Sequence, residues 1–423
     1  MKYLFLLILI HIETNLTAQV PDSVYTPNIS SAKLFMKGNQ MGYPILNLVG
    51  NDRMELMFDD LDADVKNYYY TYQLCNADWT PVQVSTFDYI RGFAQNQITN
   101  YRYSSVALIR YTHYEISLPE NNSLPTLSGN YLLKVYLNND ESKIAFTKRF
   151  LVVQTAITIT AQSLIPLNPQ YSPTHQKLQF TINTKALSIS NPFQQMHVVV
   201  MQNNRWDNAV YMGNPSFYSG NNFVYNSDDI PLFPGGNQWR WIDLQSFRFQ
   251  SDRIAHVDYL KNGTVITLKP DKDRSGLAYY FYTDNNGLYY IQNTDGEDPN
   301  WQGDYARVRF IYVPPDNAPI EGRDLYILGE FTGYKLNEAS RMTFNSASGA
   351  YEGSALLKMG YYNYSYVTTN SGDQHIFPSF DQTEGNHYET ENNYDILVYY
   401  RPLGGRSDQL VGIYSMNTMN NLR

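Results

Sequence analysis

Apolar residues in this chain recur at every second position in short runs, the period of a β-strand with two unlike faces. The runs YLLKVYL (131–137) and MHVVVMQ (196–202), residues 106–116 and 146–153, and the pair 257–260 and 264–268 all carry it. No long 3.6-residue stripe competes with them. The dipeptides Ser128-Gly129, Asn262-Gly263, Asn286-Gly287 and Ser348-Gly349 tolerate a left-handed backbone and predict hairpin turns. Short strands with Gly, Asn and Pro between them predict an all-β chain of tandem immunoglobulin-like or early-set β-sandwich domains, mostly antiparallel, and not βαβ units.

Residues 1–18, MKYLFLLILIHIETNLTA, pair one lysine with an apolar run at 3–10 and close on small and polar residues. That order predicts a signal peptide cleaved before Gln19 and an exported chain. The run is far shorter than the roughly 20 residues of a membrane-spanning helix, and no later segment predicts one. No cysteine follows the cleavage point, so a lipid anchor at that position is not expected. Three units are expected: 19–154, 155–313 and 314–423. The first boundary falls where RFLVVQ ends at Gln154; the second falls in the proline-rich YVPPDNAPIEGR around Pro314-Pro315. Cys75 is the single cysteine, so no intramolecular disulfide can form and stability must come from apolar cores. Cys75 itself reads as a small buried hydrophobe.

A net charge of −9 argues against nucleic acid and anionic lipid as partners. With 38 Tyr, 20 Phe and only 17% charged residues, the chain suits half-buried sheet faces and extensive contact surfaces. The nucleophile-elbow, zinc-protease, phosphate-loop and dinucleotide patterns are missing, and the seven histidines stand singly. Asp60, Asp62 and Asp64 resemble the start of a calcium loop. Val65 and Thr71, however, occupy the positions where such a loop needs Gly and a bidentate Glu, so a solvated acidic turn is expected. In EGNHYETENNYDILVYY (384–400), a strand would project His387, Glu389 and Glu391 from one face. Those residue types can hold zinc or manganese, but the apolar continuation predicts a strand whose polar side meets solvent or a partner. A glycosidase pair of carboxylates, which needs closeness in space and not in sequence, is a minor alternative. No catalytic, cofactor or metal residues are therefore assigned, no cofactor or small-molecule substrate is expected, and the partner-binding residues are unknown.

Residues 325–368 run from a strand through GEFTGY and a Ser348-Gly349 turn into KMGYYNYSY. This order resembles the early-set immunoglobulin-like sandwiches found beside glycan-active enzymes, with Tyr334 where Trp is usual. Tyr362, Tyr364 and Tyr366 alternate on one strand face, where core packing or a protein interface is expected and stacking on sugar is the alternative. In CNADW and RWDN, Asn76, Asp78, Asp207 and Asn208 are expected to bond nearby backbone while Trp79 and Trp206 fill cores.

Taken in order, several blocks look like one family: MFDDLDADVKNYYYTYQLCNADWTP (57–81), DYIRGF (88–93), YTHYEISLP (111–119), SGNYLLKVY (128–136), NPFQQMHVVVMQNNRWDNAV (191–210), FPGGNQWRW (233–241), DYARVRF (304–310) and EGNHYETENNYDILVYYRP (384–402). The set resembles the plug proteins of the type IX secretion system and covers nearly the whole mature chain. The resemblance implies a non-enzymatic periplasmic protein that closes the large outer-membrane β-barrel translocon when no cargo is in transit. Its implied partner is that translocon, and it transfers no active residues. The alternative function is an exported glycan-binding or glycan-processing accessory protein.

Overall fold

The computed structural model describes residues 21–187, 189–227, 231–372 and 377–421; the expected signal peptide lies outside them. Among the described residues, regular structure is almost entirely β, in six sheets that build three bodies.

In the first body, a sheet ordered Ile29–Met36, Met54–Asp60, Thr112–Leu118, Tyr101–Tyr103 packs on another ordered Ile45–Asn47, Ile144–Val153, Gly129–Leu137, Tyr68–Cys75, Asn96–Gln97. Alternation makes the core: Tyr68, Tyr70, Tyr72 and Leu74 face inward and are fully buried or nearly so, meeting Phe58, Tyr114 and Phe150. Phe58 and Tyr114 stack with ring centroids 5.0 Å apart, and each such side chain contributes on the order of 2–3 kcal/mol by burial. The Tyr68 and Tyr70 hydroxyls donate to Asp60 at 2.8 Å and to Glu120 at 2.7 Å.

The second body pairs Thr158–Leu164, His175–Asn183, Asn222–Tyr225 and Phe217–Ser219 in one sheet, with Leu232–Pro234 on the flank of His175–Asn183. The facing sheet is ordered Val210–Met212, Met196–Gln202, Asn393–Tyr400, Gln409–Asn417. The third body is a ten-stranded sheet formed from residues 240–370. It folds back on itself: Phe310 on Tyr305–Val313 meets Tyr364 on Gly360–Asn370 edge-to-face at 5.2 Å, although three strands separate the two in the sheet.

This pairing corrects the expected units 155–313 and 314–423. Pro314-Pro315 joins Tyr305–Val313 to Arg323–Leu328, two members of the same ten-stranded sheet, so the proline-rich stretch is a loop inside one body. The last strands return to the second body instead, with Val398 opposite Val198 and Ile396 opposite Val200. Prolines interrupt a strand wherever they fall and carry no information about which strands meet afterwards.

Local expectations fared unevenly. Asn262-Gly263 and Ser348-Gly349 do turn hairpins, with Leu260 opposite Gly263 and Asn345 opposite Ala350. Ser128-Gly129 and Asn286-Gly287 instead join segments that do not pair with each other. The strand expected at 106–116 begins only at Thr112, because Asp304 accepts the backbone N–H groups of Leu108 (3.0 Å) and Ile109 (3.1 Å) and holds that segment as a loop.

Candidate functional site

The outer faces of the sheets decide how the bodies join. In Met54–Asp60, Phe58 and Asp60 turn toward the first core, so Met57 and Asp59 turn away, and with Phe35 they are buried by the third body. Asp59 there receives the Lys358 ammonium at 2.5 Å, the Tyr305 hydroxyl at 2.6 Å and His113 Nδ1 at 2.6 Å. Burial alone would raise the Asp59 carboxyl, but Lys358 and His113 outweigh it and hold the group below its usual range. Nearby, Gln40 exchanges two hydrogen bonds with the backbone of Ile291, at 3.0 and 2.8 Å.

The first and second bodies meet through apolar faces. Val198 and Val200 point into the second core while Val199 and Met201 point outward, and Leu397 and Tyr399 do the same on the neighbouring strand. They pack on Cys75, Leu132, Leu151 and Val153 of the first body. Both faces of these strands are buried, which is why MHVVVMQ and YDILVYY read as nearly continuous apolar runs. Trp79 and Trp206 close this junction edge-to-face at 4.9 Å, with the Arg149 guanidinium over both rings. Cys75 is buried as expected, its thiol pushed up to about 12 by burial.

The second and third bodies are clasped by FPGG and EGNH. A Cβ on Gly235 would lie 2.0 Å from the His387 carbonyl oxygen, so only glycine permits this approach. The His387 N–H donates to Gly236 at 2.9 Å, and the Gly236 N–H donates to Asn386 at 2.9 Å. Beneath the clasp Glu384 is fully buried against Arg240 (2.9 Å) and Arg274 (2.7 Å), and Arg240 also reaches Asp271 at 2.8 Å. Burial would raise Glu384, but the two guanidinium groups prevail and lower it to about 2.

Where all three bodies converge lies a cleft of about 290 Å³, walled by Phe35, Tyr43, Trp206 and Tyr334 and by the charged residues Asp22, Lys148, Arg149, Asp207, Glu330 and Lys335. Past Tyr43 and Asn204 it continues into a second hollow of about 440 Å³.

The residues singled out from sequence fall at different places. Asp60, Asp62 and Asp64 do converge, but the Lys66 ammonium sits among them, 2.9 Å from Asp60 and 3.4 Å from Asp64, with a further bond to Asp62. A cation of the protein's own already occupies the cluster; Asp60, moreover, is buried and not solvated, with bonds from Asn28 (2.7 Å) and Tyr68 (2.8 Å). His387, Glu389 and Glu391 do not share a strand face, because the strand starts at Asn393 and residues 384–392 form an irregular loop. His387 is packed on Tyr279, and burial holds its imidazole below the usual histidine range, while Glu391 accepts from Asn286 at 3.1 Å. Tyr362, Tyr364 and Tyr366 are core residues, at most 1% exposed, which rules them out as a sugar platform; Tyr334 alone of the four borders the cleft. Trp79 is buried and Trp206 half-buried at the junction, and Asp78 caps the Thr80 N–H at 3.0 Å. Asp207, by contrast, bonds the buried Arg205 side chain and not backbone. Asp59, His113, Lys358 and Arg240 were missed; a charge set between two tryptophans in WRW was the available signal for Arg240.

Residues 29–154 match the family model described as type 9 secretion system plug protein, 1st domain. A hypothetical protein from Parabacteroides merdae ATCC 43184, solved by crystallography at 2.30 Å, superposes with a TM-score of 0.89 at 30% identity, over 94% of this chain and all of the other. The chain belongs to the type IX secretion system plug protein family. No curated protein gave a significant match.

In this plug-family chain no described helix is long and apolar enough to cross a membrane. Exposed aromatic residues gather at sheet edges: Tyr101 and Tyr103 on an outermost strand of the first body, Phe217 and Tyr218 on one of the second, Tyr259 on one of the third.

Proposed function

We propose that the protein is a non-enzymatic periplasmic plug that closes, by steric occlusion, the pore of the large outer-membrane β-barrel translocon of the type IX secretion system. The family match supports the secretion-system assignment. The observation that carries the mechanical part is the fusion of three sandwiches through buried junctions, above all the Asp59–Lys358 pair and the Trp79–Trp206 contact. A stopper must resist deformation across a wide opening, and bodies joined by desolvated charge and aromatic packing move as one. Binding to the translocon then buries more than roughly 1,000 Å² and is anchored by exposed aromatics. Unpaired outer strands such as Tyr101–Tyr103 and Ile254–Leu260 offer strand addition as a second mode of contact.

Affinity purification of the tagged protein from gently solubilised native envelopes, with mass spectrometry of what remains bound, tests the reading. Recovery of a very large outer-membrane barrel in near-equal amounts, whose conductance in planar bilayers falls when the protein is added back, is the expected result. Failure to recover a barrel, with retention on polysaccharide instead, would reverse it in favour of the glycan accessory role.

A further inference from the structure

The cleft at the meeting of the three bodies holds more positive charge than its carboxylates neutralise. Lys148, Arg149 and Lys335 line it, and Lys33 and Arg205 reach it through the acids they bind. Three carboxylates oppose these five cations, and each is already engaged: Asp22 by Arg149 at 2.9 Å, Asp207 by Arg205 at 2.5 Å, Glu330 by Lys33 at 2.5 Å. The difference, 5 − 3, leaves two positive charges in a chain whose net charge is −9. They reside on Lys148 and Lys335. The Lys335 ammonium donates to the Ser23 hydroxyl at 2.5 Å, and among the described residues neither lysine has a carboxylate at ion-pair distance. Burial holds Lys335 below the usual lysine range; attraction from Asp22 opposes the shift and repulsion from Lys148 and Arg149 adds to it, so the two excess charges feel one another. An arriving anion relieves that repulsion.

The shape of the space selects among anions. Phe35, Tyr43, Trp206 and Tyr334 give the cleft an aromatic wall, and the second hollow prolongs it past Tyr43. This prolongation is bordered by Ile45 of Ile45–Asn47 and by residues 415–417 of Gln409–Asn417, each strand the outermost of its sheet. The carboxylate lining it, Asp395, is buried and accepts from Ser415. A small anion needs only the charged end, whereas an extended chain uses the charge, the aromatic wall and the open strand edges together.

We infer that this groove is a docking site for an extended acidic segment of a partner protein. A carboxylate side chain of that segment seats near Lys148 and Lys335, and an aromatic or aliphatic side chain two positions along lies against Tyr43 and Trp206. The inference goes beyond the plug reading and does not depend on the partner being the translocon.

Fluorescence anisotropy with the purified full chain tests it, using labelled octapeptides that alternate Asp with Phe, Lys with Phe, or Gln with Phe. The Asp peptide is expected to bind at least about tenfold more tightly than the other two. Lys148→Glu and Lys335→Glu should each weaken it by a similar factor, while Lys185→Glu, an exposed charge on the second body, leaves it unchanged. Thermal melting checks the fold of each variant, and Lys148→Gln carries the test if a charge reversal does not fold. Equal binding of the three peptides would overturn the inference. So would full displacement of the Asp peptide by millimolar inorganic phosphate, which would reduce the groove to a simple anion site.

Discussion

The Lys358 ammonium lies 2.5 Å from the Asp59 carboxylate and both side chains are 1% exposed, although the two residues belong to different sandwiches. Such a pair stabilises little against an apolar replacement, but breaking it strands a charge away from water. Asp59→Asn is therefore expected to cost about 3–5 kcal/mol in urea unfolding, and Asp59→Asn combined with Lys358→Met to recover much of the loss. Additive losses in the double variant would show that the two residues do not act as a pair.

The Asp395 carboxyl is pushed up to about 6 by burial, partly offset by the Ser415 hydroxyl. Its folded value exceeds the unfolded value of about 3.9, so the stability it contributes is present below that pH and is lost as pH rises through 6. Asp395→Asn, which keeps an acceptor for Ser415, should stabilise the protein by about 2 kcal/mol at pH 8 and leave it nearly unchanged at pH 4. Differential scanning calorimetry at both pH values measures this; an equal shift at the two would refute it.

Glu384 shows the opposite sign. Its carboxyl is lowered to about 2, so its contribution is full above the unfolded value near 4.3 and is lost only as pH falls through 2. Glu384→Gln leaves Arg240 and Arg274 facing each other under the clasp and should cost about 3–5 kcal/mol at neutral pH. Native-state hydrogen exchange should rise first at Gly235, Gly236 and His387, which the clasp holds together.

Lys66 places its ammonium among the Asp60, Asp62 and Asp64 carboxylates, where a cation would sit. Millimolar calcium should leave the melting temperature of the unaltered protein where it is. Lys66→Met should lower it by about 1 kcal/mol equivalent and create a calcium-dependent rise. A calcium response without the substitution would mean that the ion displaces the ammonium.

A chain ended after Glu391 loses Asn393–Tyr400 and Gln409–Asn417, half of one sheet of the second sandwich. Val198 and Val200 would lose their neighbours on Asn393–Tyr400, so dye binding to exposed apolar surface and rapid proteolysis within 155–234 are expected. An unchanged second body would contradict the pairing.

The all-β character was legible along the chain, because strand-length apolar runs such as YLLKVYL and MHVVVMQ, with turn residues between them and no competing 3.6-residue stripe, commit a segment to a strand wherever its partner lies. The sequence also determined the family, through the joint order of blocks such as CNADW and FPGGNQWRW, and the fate of Cys75 as a buried hydrophobe. Which strands meet was set by long-range packing: nothing local to Asn393–Tyr400 says that it pairs with Met196–Gln202, so the boundary expected at Pro314 fell inside a sheet. Burial was equally hidden. Glu384 and Asp59 read as ordinary acids until Arg240, Arg274 and Lys358 arrive from distant segments. Periodicity is a property of neighbours along the chain, whereas charge compensation and domain junctions depend on contacts between residues hundreds of positions apart.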